Sequence, residues 1–522
     1  MGVVKTSGSA RARTRLQQRR PKCQVCEKIL LVIRQPSNGE TLGTARQILH
    51  NSSCLHHRHI ISDYLQNHLK CAKSDHDHKI DIIRWRKGLA RFYSRCASTG
   101  ELSVSLLPLQ MLLDRGTSAR GRAVNSKWID PCLLKQWRRT CDREHGKLCH
   151  PPPLANFAQQ TPELLIDVWQ QCLVPALPST DYICLSYVWG GSAQFSTLSS
   201  NVEKLRQPGA LAPANMTQPL SNTIRHAMAV VEMLEGRYLW VDALCIVQDN
   251  AGQRHQEIDK MGAIYANAML TIVAEGGSNA DSCLFGLRGV SPSRTFDQRT
   301  WSLGRGIKVA EMPEVTENSI WGERGWTFQE EILSKRRLIL SKNSVRWMCQ
   351  CAHWREDVNP SDTSATLEGV DVAPVLGNTT MGYSLLTSLI EKYNTRTFTF
   401  PEDSLDAFTG ITTALRPQLS ILLSRAFPWK CSTSLCFGSR LNNHSPEGFR
   451  RAQQHVSQAG AGHLGKASWI CRHGKPGVAT IWASTRSCGS RYDRRSHGDI
   501  TSRWGTPVFP CRQFYTNWRG VL

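Results

Sequence analysis

Tyr182-Ile-Cys-Leu-Ser-Tyr-Val-Trp189, closed by Gly190-Gly191, is a short run of apolar and β-favouring residues, and so are Tyr238-Leu-Trp-Val-Asp242-Ala-Leu-Cys-Ile-Val247 and Met269-Leu-Thr-Ile-Val-Ala274. Runs this apolar are the mark of strands buried on both faces. Between the first two, Leu220, Ile224, Ala227, Val231 and Leu234 recur every three or four residues until Gly236 stops the pattern, which predicts an amphipathic helix. Between the second and third, Ile258, Met261, Tyr265 and Ala268 mark another helix face. Strand, helix, strand, helix, strand predicts right-handed crossovers, hence an α/β domain with a mainly parallel sheet and helices on both faces. Ligands of such sheets bind at the carboxyl ends of the strands.

Working outward, Trp321-Gly-Glu-Arg-Gly-Trp326 leads into Thr327 to Leu338, where Phe328, Ile332, Lys335 and Arg336 suggest one helix with an apolar side and a basic end. Tyr393 to Arg396 and Asp403 to Ile411 suggest a further capped helix, so 351–428 reads as a helical extension. Upstream, residues 23–150 are rich in Cys and His. Cys23-x2-Cys26 offers a thiolate pair, and Cys141, His145 and Cys149 recur with Trp137 every four residues on one helix face. Such thiols and imidazoles suit zinc, and a packed helix face explains the second stripe equally well. Both flanks of the central domain (151–350) therefore read as mostly helical.

The 522 residues carry a net charge of +22, 40% hydrophobic residues and 19 Cys. The charge lies at the ends: 1–22 holds seven Lys and Arg with no acid, and 431–522 holds thirteen against Glu447, Asp493 and Asp499, leaving +5 between them. That balance argues against nucleic acid as a partner of the folded middle. Residues 1–22 read as a disordered basic arm. Its Met1-Gly-Val-Val-Lys-Thr6 fits the myristoylation pattern, so membrane attachment would depend on Gly2. No apolar run approaches the roughly 18 residues of a membrane span, and no secretory leader is present, which points to the cytoplasm or nucleus and to reduced cysteines.

Three segments together resemble the fungal heterokaryon incompatibility (HET) domain: Tyr182 to Gly190 (YICLSYVWG), Arg237 to Asn250 (RYLWVDALCIVQDN) and Arg324 to Leu338 (RGWTFQEEILSKRRL). The resemblance implies a role in non-self recognition and programmed cell death, through protein partners or self-association. It also implies a relationship to TIR domains, some of which hydrolyse NAD, so NAD is a candidate substrate. Asp242 and Glu330 are the candidate catalytic carboxylates. Ser186, Trp189, Gly190, Arg324 and Trp326 are the candidate nucleotide-binding residues. Each has a plainer reading: a hydrogen-bonded structural Asp, a helix Glu paired with Arg324 or Lys335, a buried Trp at a tight turn.

Residues 429–522 form an irregular basic tail. Gly460-Ala-Gly-His-Leu-Gly-Lys466 imitates a phosphate loop, but Ala467 stands where a Mg²⁺-binding hydroxyl belongs and no predicted strand precedes it. HET proteins of this layout often carry Pro-Ser-Trp-Ser-Trp near here. With suitable codons a shifted reading frame over Gln454 to His463 can encode that string, which suggests an out-of-frame tail. Neither a Gly-x-Ser-x-Gly elbow nor a His-Glu-x-x-His helix occurs.

Overall fold

The computed structural model describes residues 23–34, 39–50, 53–68, 78–86, 89–95, 102–103, 108–112, 121–191, 194–294, 298–304, 306–311, 319–359, 383–426, 468–473 and 479–484. The basic arm with Gly2, the phosphate-loop imitation up to Ala467 and the Gln454 to His463 segment lie outside these.

The N-terminal region opens with helix α1 (Gln24–Arg34), strand β1 (Glu40–Thr44) and helices α2 (Ala45–His50) and α3 (Leu55–His68). Strands β2 (Lys79–Arg86), β3 (Leu89–Arg95), β4 (Leu102–Ser103) and β5 (Pro108–Met111) follow. Helices α4 (Pro131–Glu144) and α5 (Gly146–Cys149) lead into β6 (Leu164–Asp167), β7 (Cys172–Pro175) and β8 (Ile183–Ser186). Then come α6 (Asn222–Met233), β9 (Tyr238–Trp240), α7 (Asp242–Cys245), α8 (Ala251–Asn267), β10 (Leu270–Val273), β11 (Thr300–Gly304) and β12 (Ile307–Glu311). The last part holds α9 (Gly325–Leu333), β13 (Arg336–Leu340), β14 (Val345–Cys349), β15 (His353–Arg355), α10 (Tyr383–Asn394) and α11 (Asp406–Ala426). The two strands Ser468–His473 and Ala479–Ser484 pair with each other.

The second sheet runs β15-β14-β13-β10-β8-β9-β6-β7. Only its centre is parallel: β8 pairs in parallel with β9 and β10, and β10 with β13. The pairs β13–β14, β14–β15, β6–β7 and β6–β9 are antiparallel, so the sheet is mixed and the mainly parallel expectation is corrected. Its edges are built from hairpins, whose tight turns need no crossover helix. Right-handed crossovers place α6 on one face and α8 and α9 on the other, where both pack with α11. That layer is close-packed at Gly262 and Gly410, whose backbones touch, and Gln329 accepts the Gly410 amide at 2.7 Å.

The upstream flank is not mostly helical, whereas the described residues 383–426 downstream are. Residues 23–112 contribute β1, β2, β3, β4 and β5 to an antiparallel sheet that β12 and β11 complete from far along the chain. Its core joins Ile29, Ile33, Ile60 and Tyr64 from the helices to Ile80, Ile82, Phe92, Trp301 and Val309 from the strands. Two local expectations also give way. The run 238–247 breaks after Trp240, so Asp242 opens a helical turn instead of lying in a strand. The helix expected through Lys335 and Arg336 ends at Leu333, and Arg336 starts β13. Among the described residues no helix is long and apolar enough to cross a membrane.

Candidate functional site

Ser186 ends β8, Asp242 follows β9, and Arg324 precedes α9, so three of the candidate residues meet at the carboxyl ends of the parallel strands. Gly190 turns the chain after Trp189 with φ +75°, and a Cβ there would lie 2.5 Å from that of Asn279. Glycine meets both demands. The turn returns Trp189 to Asp242, whose carboxylate accepts the indole Nε1–H at 2.7 Å and the Ala243 amide at 2.7 Å. Trp189 and Asp242 are partly exposed.

Glu330 lies deeper, on the face of α9 turned to β8. Its carboxyl accepts the Ser186 hydroxyl, whose oxygen in turn accepts the Trp321 Nε1–H at 2.7 Å. Trp321 packs with Val188, Val273 and Ile339. The Tyr265 hydroxyl, donating to the Leu185 carbonyl at 3.0 Å, interacts with the same carboxyl. Burial pushes Glu330 up to about 7; Asp242 adds to the rise, while the Ser186 hydroxyl and Arg324 oppose it. Burial lifts Asp242 to about 6 against the pull of Trp189, the Ala243 amide and Arg324. Both carboxyls thus titrate near neutrality, where a side chain can hold or release a proton during a reaction.

Trp326 does not join this group. Its Nε1 donates to Asp403 at 3.1 Å. Sequence reasoning missed Tyr265 and Trp321 as site partners, because a core Tyr and Trp carry no signal until the fold brings them to a carboxylate.

The five metal candidates separate into two clusters. Cys23 and Cys26 meet Cys54 and His57, and all four donor atoms lie within 4.8 Å of one another. His57 Nδ1 is 3.2 Å from Cys23 Sγ and 3.7 Å from Cys26 Sγ, and Cys26 Sγ is 3.7 Å from Cys54 Sγ. Burial raises the Cys26 thiol and lowers His57. Cys141, His145 and Cys149 meet Cys349, again within 4.8 Å. The repeated spacing Cys23-x2-Cys26 and Cys54-x2-His57 was visible in the sequence. Cys349 was not, since it stands 200 residues or more from its partners.

These features define an α/β domain with a carboxylate-lined site at the carboxyl ends of its parallel strands, one Cys/His cluster where β14 passes the start of β13, and another in the N-terminal region. Residues 182–330 match the family model described as "Heterokaryon incompatibility protein (HET)". Over 110 residues the chain is 32% identical to "Heterokaryon incompatibility protein 6, OR allele" of Neurospora crassa, a stretch covering 21% of this chain and 16% of that protein. No solved structure matches. Residues 182–330 thus carry a HET domain.

Proposed function

We propose that this chain acts in fungal heterokaryon incompatibility, as an effector of non-self recognition that leads to cell death. Its HET domain cleaves the N-glycosidic bond of a nicotinamide nucleotide such as NAD. One observation carries the enzymatic reading: two carboxyls with pKa raised to about 6 and about 7 stand together at the carboxyl ends of parallel strands, under the influence of one arginine. Asp242, the more exposed, would face the positive charge that develops on the ribose as nicotinamide departs, with the Trp189 indole beside it for stacking. Glu330 is buried and acts by tuning Asp242 and by holding a proton behind it. Arg324 suits the phosphates.

Zinc, expected in residues 23–150, enters the proposal at Cys23, Cys26, Cys54 and His57. The His57 Nε2–H donates to the Ile48 carbonyl at 3.3 Å, which leaves the Nδ1 lone pair facing the thiols, the outer-shell orientation found at metal-bound His.

A second reading, a non-enzymatic module acting by self-association or partner recruitment, is favoured by the closed hydrogen bonding of Trp321, Ser186 and Glu330, which accounts for them as fold-maintaining residues. The deciding experiment expresses the full chain in fungal cells with Asp242→Asn and Glu330→Gln and follows NAD and viability together. NAD loss that Asp242→Asn abolishes in a folded protein sustains the enzyme. Cell death with constant NAD rejects it and leaves the scaffold. We propose the cytoplasm, with the nucleus open to the same protein, as the place of action.

A further inference from the structure

The second cluster joins parts of the chain that nothing else in the sequence connects. Cys141 is on α4, His145 is the hinge between α4 and α5, Cys149 ends α5, and Cys349 ends β14. Gly146, at φ +49°, bends the chain so that the stripe expected on one helix instead wraps around a point. There His145 Nδ1 lies 3.4 Å from Cys349 Sγ and 3.6 Å from Cys149 Sγ. Zinc bonds of about 2.3 Å to sulfur and about 2.0 Å to nitrogen make tetrahedral edges of about 3.5 to 3.8 Å, so these separations are those of ligands around one ion.

Three further features fit that ion. Cys141 and Cys149 are completely buried, in a place where thiols alone would have only weak donors and acceptors for one another. Three thiolates, one imidazole and Zn²⁺ sum to one negative charge, and the buried Arg336 guanidinium acts on Cys141 from the next strand while pairing with Asp142 at 3.1 Å. The Trp354 ring packs on His145, centroids 5.3 Å apart, and covers the site from β15. Cys351 Sγ approaches Cys149 Sγ at 3.7 Å but stands outside the quartet.

We propose that Cys141, His145, Cys149 and Cys349 hold a structural zinc ion that clamps the α4–α5 segment to the end of β14 in the HET sheet. His145 and Cys349 are 204 residues apart, so the ion closes a loop containing the whole matched segment 182–330. Closing a loop of that length removes much entropy from the unfolded chain, and the zinc should therefore govern how firmly the domain's upstream helices stay attached.

The test is metal analysis of the full chain purified without added chelator. The wild type should hold about two zinc equivalents, one per quartet. Cys23→Ser/Cys26→Ser should retain about one, Cys141→Ser about one, and the combination none, with Cys351→Ser at the wild-type level. Chelation of the Cys23→Ser/Cys26→Ser protein should open the α4–α5 segment to protease. A wild type without zinc overturns the clamp. So does a folded Cys23→Ser/Cys26→Ser chain without zinc, a result that does not require Cys141→Ser to fold.

Discussion

In the N-terminal sheet β11 buries Trp301 and Leu303 while Thr300 and Ser302 face outward; in the HET sheet β8 and β10 bury every residue. The first sheet is antiparallel and takes its helices on one side. The second is parallel at its centre and covered on both sides. A one-sided sheet depends on a few large side chains at alternate positions, and a two-sided one on the fit of everything around it. The two regions should therefore fail in different ways.

The largest effect is expected from Phe92→Ala. Phe92 is fully buried against Tyr64, ring centroids 5.3 Å apart. Its loss should cost about 4 kcal/mol, read by denaturant unfolding followed through a probe in residues 23–112. If the HET sheet unfolds at the same denaturant concentration, the strands β11 and β12 couple the two regions, and the contrast between them is one of pattern only.

Next comes Gly325→Ala, expected to cost about 3 kcal/mol, because the added Cβ would overlap the Phe398 ring at the start of α9. A melting temperature close to wild type would show that the two-sided layer is looser than its packing implies.

Glu330→Gln sharpens the comparison electrostatically. The carboxyl's ordinary value is 4.5 and the folded value about 7, so between these the folded chain keeps a proton that the unfolded chain has lost. Stability from this residue is thus present at low pH and declines as pH rises from about 4.5 to about 7, by about 3 kcal/mol. Gln, which carries no proton to lose, should flatten that decline. Unfolding at pH 5 and pH 8 checks it, and an unchanged slope would place the titration elsewhere.

The smallest effect should come from Asp63→Ala, which leaves the Trp301 indole in place and removes the 2.6 Å bond that its Nε1–H donates to Asp63. A cost of about 1 kcal/mol is expected in the N-terminal region.

Part of this was legible from the residues themselves. The runs at Tyr182, Tyr238 and Met269, with their intervening helix periods, predicted β8, α6, β9, α8 and β10, because strands buried on both faces must be apolar throughout. The N-terminal strands were not recognised. Ile80 and Ile82, and then Ala90 and Phe92, alternate with polar residues over stretches too short to stand out, and two strands of that sheet arrive from residues 300–311. Arg336 read as the basic end of a helix because its burial depends on Asp142, a partner almost two hundred residues away.

The candidate site divides along the same line. Composition and spacing determined that Asp242 and Glu330 are carboxylates among aromatics and that Cys and His cluster before residue 150. Only the tertiary structure decided that Trp189 caps Asp242, that Ser186 and Trp321 enclose Glu330, that Trp326 turns instead to Asp403, and that Cys349 completes a quartet begun at Cys141. Periodicity along a chain reports which face of an element is buried. Which side chains meet on that face is set by crossovers and sheet order, which bring together residues whose separation in sequence carries no local signal.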